Sequence, residues 1–163
     1  MKTSYEERAK KFLMKILPYI ENCKTRYQYY DAIEKYNQEH HKNVIVSCGS
    51  CRIVLITSDY VIKIDYDKAN IRRFGGNWKE YCFYKKAERD GYAHLFAKVS
   101  RVKVGHHYYY IMPRVNGIGE SNNEYTWSDD EWDYVDTYVD DLHEYNVGRS
   151  HRRTIIIDYA CHR

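Results

Sequence analysis

The sequence lacks an uninterrupted apolar run of the roughly 20 residues that an α-helix needs to cross a membrane. It also lacks a dominant charge, since 26 basic and 23 acidic residues leave a net charge of only +3 over 163 residues. Because basic and acidic residues are nearly equal in number, the charge gives no argument for nucleic acid as a partner. We therefore expect a non-membrane protein of one domain, with at most a small appendage, that is long enough to bury a core.

The sequence contains five cysteines, an odd number, and no leader is recognisable before them. This argues against a disulfide framework and predicts a reducing, cytoplasmic location. Cys48 and Cys51 form an isolated Cys-x-x-Cys motif, which without a second pair does not favour a zinc or redox site. The 19 tyrosines are scattered along the chain, so we interpret them as core and rim residues. Nucleic-acid binding through tyrosine and lysine is the least favoured hypothesis.

Two helical patterns open the chain, over about residues 5–22 and 25–39, and Pro18 could kink or break the first. We assign residues 1–42 to an N-terminal helical pair. The apolar residues at helical spacing are Phe12, Leu13, Ile16, Leu17 and Ile20 in the first helix, and Tyr29, Tyr30, Ile33 and Tyr36 in the second. The pair could brace a sheet or offer a surface to a partner, and the brace is the preferred interpretation.

Five β-strands are predicted from β-branched runs that are separated by turn signals. The first three form an antiparallel meander, and the last two form a hairpin turned at residues 104–106. Their expected ranges are residues 44–47, 52–57, 60–65, 96–104 and 107–112. A helix over about residues 77–90 follows the third strand, and Gly91 is a suitable stop for it.

The second half of the chain contains a helix start and a buried strand. Ser128 and Glu131 form a capping box that opens a helix, whose apolar face is Trp132, Val135, Val139 and Leu142. Asp141 follows in a polar turn, with Asn146 five positions later. Three isoleucines then predict a buried strand that ends in the carboxylate of Asp158.

The spacing of Asp141, Asn146 and Asp158 resembles the catalytic loop and metal-binding strand of the protein-kinase-like family. The segments S-C-G-S-C-R-I-V-L and V-I-K-I, which contain Gly49 and Lys63, are similar to the nucleotide loop and lysine strand of small kinase-like proteins from bacterial and phage genomes. Asp141 to Asn146 has the D-L-H-x-x-N form of such proteins. The resemblance covers residues 43–160.

This resemblance implies an α+β, protein-kinase-like fold. A five-stranded antiparallel N-lobe with a helix would occupy residues 43–115, and a minimal, reduced helical C-lobe residues 116–163. Two features depart from the family pattern: Gly49 stands where protein kinases have three glycines, and Ala160 replaces the glycine of the Asp-aromatic-Gly motif.

The resemblance also implies that the chain binds ATP and Mg²⁺ and transfers a phosphoryl group. The catalytic residues would be Asp141, which acts on the acceptor, and Lys63, which pairs with Glu80 and neutralises the phosphates. The nucleotide would be bound by Gly49, Ser50, Lys63, Met112 and Val115. Asn146 and Asp158 would hold Mg²⁺.

Several alternatives stay open. Glu88 competes with Glu80 as the partner of Lys63, and His143 is either a phosphate contact or a surface loop residue. The chain ends shortly after Asp158, so we expect a protein partner or protein substrate to supply the acceptor surface. The alternative function is a pseudokinase-like binding module that inhibits or sequesters a partner protein.

Overall fold

The computed structural model describes residues 3–49, 52–65, 75–119 and 125–159. The chain divides into two units, of which the first comprises Met1–Arg72 and Ser100–Arg114 and the second Arg73–Val99 and Val115–Arg163. The division predicted at residues 42 and 115 stays a prediction. Within the described ranges, no helix is both long enough and apolar enough to cross a membrane.

The first unit begins with two helices, α1 (Tyr5–Ile20) and α2 (Arg26–His40). A polar side chain caps each helix start: Ser4 accepts a hydrogen bond from the Glu7 N–H, and Thr25 forms a capping box with Gln28. Pro18 lies in the last turn of α1 and does not break it. Because Pro18 is exposed, the carbonyl group that it leaves without a helical donor can be solvated.

The main sheet of the first unit contains five antiparallel strands in the order β1-β2-β3-β5-β4. The strands are β1 (Ile45–Cys48), β2 (Arg52–Ile56), β3 (Tyr60–Asp65), β4 (Ser100–Val104) and β5 (His107–Pro113). This confirms the predicted α+β fold class with its five-stranded antiparallel sheet. Three strands, a helix and two further strands follow one another as the resemblance to kinase-like proteins implies.

One face of this sheet is covered by the N-terminal helical pair. Buried residues of α1 and α2 form a single core with buried residues of β2, β3 and β5, including Leu13, Ile16, Ile33, Leu55, Ile62 and Ile111. The helical pair is therefore a brace for the sheet. Side chains alternate along a strand, so Val54, Lys63 and Tyr110, which are paired across β2, β3 and β5, lie on the opposite face.

The second unit contains two α-helices, α3 (Gly76–Asp90) and α4 (Asp129–Tyr138), and a hairpin of β6 (Val147–Ser150) and β7 (Arg153–Ile156). The capping box of Ser128 and Glu131 is present at the start of α4, as predicted.

Three details of the second unit correct the sequence predictions. Helix α4 ends at Tyr138, because Val139 has an extended backbone, so Leu142 is not part of its apolar face. Residues 96–99 are not in β4. They follow a 3₁₀ turn, and Ala97 donates its N–H to the Ile156 carbonyl at 2.8 Å. Strand β6 was not predicted at all.

Candidate functional site

Lys63 is buried in the middle of β3, with only 6% of its surface exposed. Its neighbours across the sheet are Val54 on β2 and Tyr110 on β5. Strand alternation alone predicts a solvent-facing lysine here. A buried ammonium group loses its hydration, and this is tolerated where opposite charges or hydrogen-bond acceptors compensate for it. The Lys63 side chain is therefore enclosed by the protein rather than solvated.

Gly49, one of the predicted nucleotide-loop residues, directly follows β1. The Gly49 N–H donates to the Arg52 carbonyl at 2.9 Å, which closes the turn from the β1 side. Gly49 itself is exposed, and a Cβ atom there would stand 3.4 Å from that same carbonyl oxygen. Ser50, the other predicted loop residue, lies outside the described residues.

The hinge residues predicted to contact adenine lie at the end of β5. Met112 is buried within the strand. Arg114 follows, and its N–H donates to the Asp59 carbonyl at 2.9 Å while its guanidinium donates to the Thr57 carbonyl at 3.0 Å. Arg114 thus fastens the β2–β3 turn to the end of β5. Val115 is buried in the second unit.

Glu80 is completely buried on α3. It shares the inward face of the helix with Phe83 and Ala87, three and seven positions later. Its Oε1 atom accepts a hydrogen bond from the Tyr159 N–H at 3.1 Å. Glu88, the competing candidate, is exposed and forms an ion pair with Lys85 at 2.6 Å.

Besides its bond to Glu80, Tyr159 makes a second hydrogen bond and two ring contacts, which fix its position. The Tyr159 hydroxyl donates to the Ala97 carbonyl at 2.6 Å. Its ring packs against Phe83 and Phe96, with centroid distances of 5.8 and 5.0 Å. The residue directly before it is Asp158, the predicted metal ligand, so these contacts also fix the backbone beside that carboxylate.

One backbone hydrogen bond joins the predicted catalytic loop to the segment before Asp158, and one side-chain hydrogen bond closes the loop itself. The Asn146 side-chain amide donates to the Asp141 carbonyl at 2.8 Å. The Asn146 carbonyl accepts the Ile157 N–H, also at 2.8 Å. Asn146 therefore connects Asp141 with the residue that precedes Asp158. The Asp141 side chain is 63% exposed, whereas Asp158 is half-buried.

His143 lies on the surface of this loop. Its Nδ1 atom accepts the Tyr145 N–H at 3.2 Å, which caps the 3₁₀ turn Glu144–Asn146. Its Nε2 atom is 3.8 Å from Asp141 Oδ1. The ring thus has a structural role in the turn and also lies beside the predicted catalytic carboxylate.

No cluster of three or more histidine, cysteine, aspartate or glutamate side chains suited to a metal ion occurs in the part of the chain that the structure describes. Magnesium sites differ from such clusters, because Mg²⁺ keeps several waters and takes one or two protein oxygens together with substrate phosphates. The Asn146 side chain uses its nitrogen to hold Asp141, which leaves its amide oxygen as the group able to bind a cation. Asn146 and Asp158 could therefore supply the one or two protein oxygens that such a magnesium site needs.

The structure brings four of the predicted residues together within the second unit, namely Glu80, Asp141, Asn146 and Asp158. It places Gly49, Lys63 and Met112 in the first unit. Sequence reasoning assigned no role to Tyr159, although its aromatic ring and its N–H anchor this arrangement. The sequence does indicate a role for Tyr159, because it follows Asp158 as the aromatic residue of the Asp-aromatic-Gly pattern.

The chain matches no family model, and it matches no curated protein. Among solved structures it is similar to the Rio2 kinase of Chaetomium thermophilum, solved as an ADP/Mg²⁺-phosphoaspartate complex, with 16% sequence identity and a TM-score of 0.38. The similarity covers 82% of this chain and 53% of that kinase chain. The chain therefore spans about half the length of the Rio2 chain that it resembles.

Proposed function

We propose that this protein is an ATP- and Mg²⁺-dependent phosphotransferase of the kinase-like type. The observation that supports this most directly is the hydrogen bond from the Tyr159 N–H to the buried carboxylate of Glu80. It links the helix that follows the lysine strand to the residue beside Asp158. Burying a carboxylate is unfavourable unless it is compensated, so a glutamate at this position needs a specific reason.

In this proposal the residues of each unit have separate tasks. In the first unit, the ammonium group of Lys63 neutralises the ATP phosphates, and the Gly49 turn approaches them through its backbone. In the second unit, the buried carboxylate of Glu80 fixes the backbone beside Asp158, and the oxygens of Asn146 and Asp158 would hold Mg²⁺. Bound Mg²⁺ would supply charge neutralisation at the phosphates.

The reaction transfers the γ-phosphoryl group to an acceptor hydroxyl. A bond forms between the acceptor oxygen and the γ-phosphorus while the bond to the β,γ-bridging oxygen breaks, and ADP leaves. Asp141 takes the hydroxyl proton. Its exposed carboxylate is accessible to an acceptor, and the bond from Asn146 to its carbonyl restrains its backbone.

Calorimetry with ATP and Mg²⁺ tests the nucleotide site. Wild type should bind in a Mg²⁺-dependent way, and Lys63→Ala and Asp158→Asn should each lose this binding. An exposed acid on α4 offers a charge-matched control, so Asp136→Asn should bind like wild type. Wild type without Mg²⁺-dependent binding, or variants that bind equally well, would contradict the site assignment.

A turnover assay then separates an enzyme from a binding module. Asp141→Asn should keep ATP affinity but lose about 10²–10⁴-fold in phosphoryl transfer or ATP hydrolysis, as expected when a general base is removed. Asp136→Asn should keep full activity. Tight nucleotide binding by wild type without any turnover would favour the pseudokinase-like module that inhibits or sequesters a partner protein.

A further inference from the structure

The first unit contains a cleft of about 520 Å³ that the proposed function does not use. It lies between α1, the end of α2 and the β2–β3 turn. Its lining includes the basic side chains of Arg8, Lys11, Lys15 and Lys42. Because α1 covers the sheet face opposite to Lys63, this cleft is separate from the proposed nucleotide site.

The cleft has an excess of positive charge. Arg8, Lys11 and Lys15 follow one another at spacings of three and four along α1, where like charges are close neighbours and destabilise a helix. Asp59 is the carboxylate in the lining, and it pairs with Arg8 at 3.1 Å. Within the described ranges, no ion pair involves Lys11, Lys15 or Lys42. Three lysines of the lining thus have no ion-pair partner among the residues that the structure describes.

The walls of the cleft are held in place by hydrogen bonds. The Asn37 side chain accepts the Val44 N–H at 2.9 Å and donates to its carbonyl at 2.8 Å, which fixes the segment carrying His41 and Lys42. On the other side, the Thr57 hydroxyl donates to the Tyr60 carbonyl at 2.8 Å. A site whose walls are already ordered loses little entropy when it binds a ligand.

Aromatic rings contribute to the lining beside these cations. Phe12 packs edge-on against Tyr36 and Tyr60, with centroid distances of 5.7 and 6.3 Å. Both tyrosines are buried, while Phe12 is half-buried. The cleft therefore combines aromatic surface with several basic side chains.

We propose that this cleft binds a small ligand bearing several phosphate groups. Phosphate oxygens match three ammonium groups better than a single carboxylate does, because a polyphosphate offers several charged acceptors along a short chain. The volume falls within the roughly 300–1,000 Å³ of small-molecule pockets, which favours a compact ligand over a polymer that would run across the surface. The inference is independent of the phosphotransferase proposal.

Calorimetry with inorganic triphosphate, in the absence of Mg²⁺, tests this site on the full chain. Wild type should bind one triphosphate, and Lys11→Gln/Lys15→Gln should weaken binding by about tenfold or more, since two charge-assisted contacts are lost. Lys10→Gln/Lys24→Gln removes the same charge from exposed positions outside the cleft and should leave binding unchanged. Circular dichroism would verify that both variants are folded.

Two further measurements separate this site from the proposed nucleotide site. Lys63→Ala should keep triphosphate binding, and Lys11→Gln/Lys15→Gln should keep Mg²⁺-dependent ATP binding. The proposal is overturned if wild type does not bind triphosphate, if both lysine pairs weaken binding equally, or if Lys63→Ala abolishes it. It is also overturned if a single-stranded oligonucleotide binds more tightly than triphosphate and displaces it, because the cleft would then serve a polymer.

Discussion

Glu80 accepts the backbone N–H of Tyr159 at 3.1 Å, although 79 positions separate them in the sequence. Both residues are buried. The bond therefore joins the first half of α3 to the segment after β7 inside the second unit. A substitution at Glu80 can remove the carboxylate alone or the carboxylate together with this connection, so the two effects can be separated.

Glu80→Ala should reduce the free energy of unfolding by about 1–3 kcal/mol, because the buried N–H of Tyr159 loses its acceptor. Glu80→Gln keeps an oxygen that can accept this bond, so it should be less destabilising than the alanine variant. Urea unfolding measures the difference. Glu88→Ala, an exposed change on the same helix, should lie within about 0.5 kcal/mol of wild type. Equal losses at positions 80 and 88 would show that the contact contributes little.

Asn146 should separate metal binding from loop geometry. Asn146→Asp keeps an oxygen for Mg²⁺ but loses the amide donor to the Asp141 carbonyl, whereas Asn146→Ala loses both groups. We expect the aspartate variant to keep Mg²⁺-dependent ATP binding while its turnover falls. The alanine variant should require more Mg²⁺ for binding. Magnesium titrations of nucleotide affinity and of turnover would measure both effects, and identical behaviour of the two variants would contradict the assignment.

The sequence predicts the elements of this fold better than their contacts. Apolar periodicity located the main strands and helices, since it reflects the face that each element buries. Strand β6 has the sequence Val-Gly-Arg-Ser, which contains no apolar run, and it was missed. Alternation placed Lys63 on the sheet face away from Ile62, but it cannot say whether that face is covered. The bond from Tyr159 to Glu80 joins distant segments, so no local pattern predicts it.

The brace formed by the helical pair should be essential for the first unit. Leu13 is completely buried in the core shared with the sheet, whereas its neighbour Met14 is 61% exposed. Leu13→Ala should therefore cost about 2–5 kcal/mol in unfolding free energy, as expected for a cavity in a packed core. Met14→Ala should stay within about 0.5 kcal/mol of wild type. Similar thermal midpoints for the two variants would argue that the helices pack only loosely on the sheet.

Tyr134 should make the protein sensitive to alkali. Burial, with help from its 2.8 Å hydrogen bond to Asp90, raises the pKa of Tyr134 to about 12. The folded state thus favours the neutral hydroxyl. The contribution of this hydroxyl to folding stability is fully present below the unfolded pKa of about 10, and it is lost as the pH rises through the folded pKa of about 12. The stability advantage of wild type over Tyr134→Phe should shrink across this interval in unfolding experiments. Tyr145→Phe, an exposed control, should show no such change, and a constant wild-type advantage at Tyr134 would contradict the prediction.

The strand order of the main sheet affects how the protein can fold during its synthesis. Strand β3 pairs with β5 rather than with β4, so β5, the last of these five strands to be synthesised, is inserted between β3 and β4. Until residue 113 has been synthesised, β3 has an open edge, and such an edge can pair with another chain. The N-terminal helices can already cover one sheet face at that stage, but they leave the hydrogen-bonding groups of the β3 edge unpaired. A nascent chain stalled before β5 would therefore be an aggregation-prone intermediate, even with its helices folded.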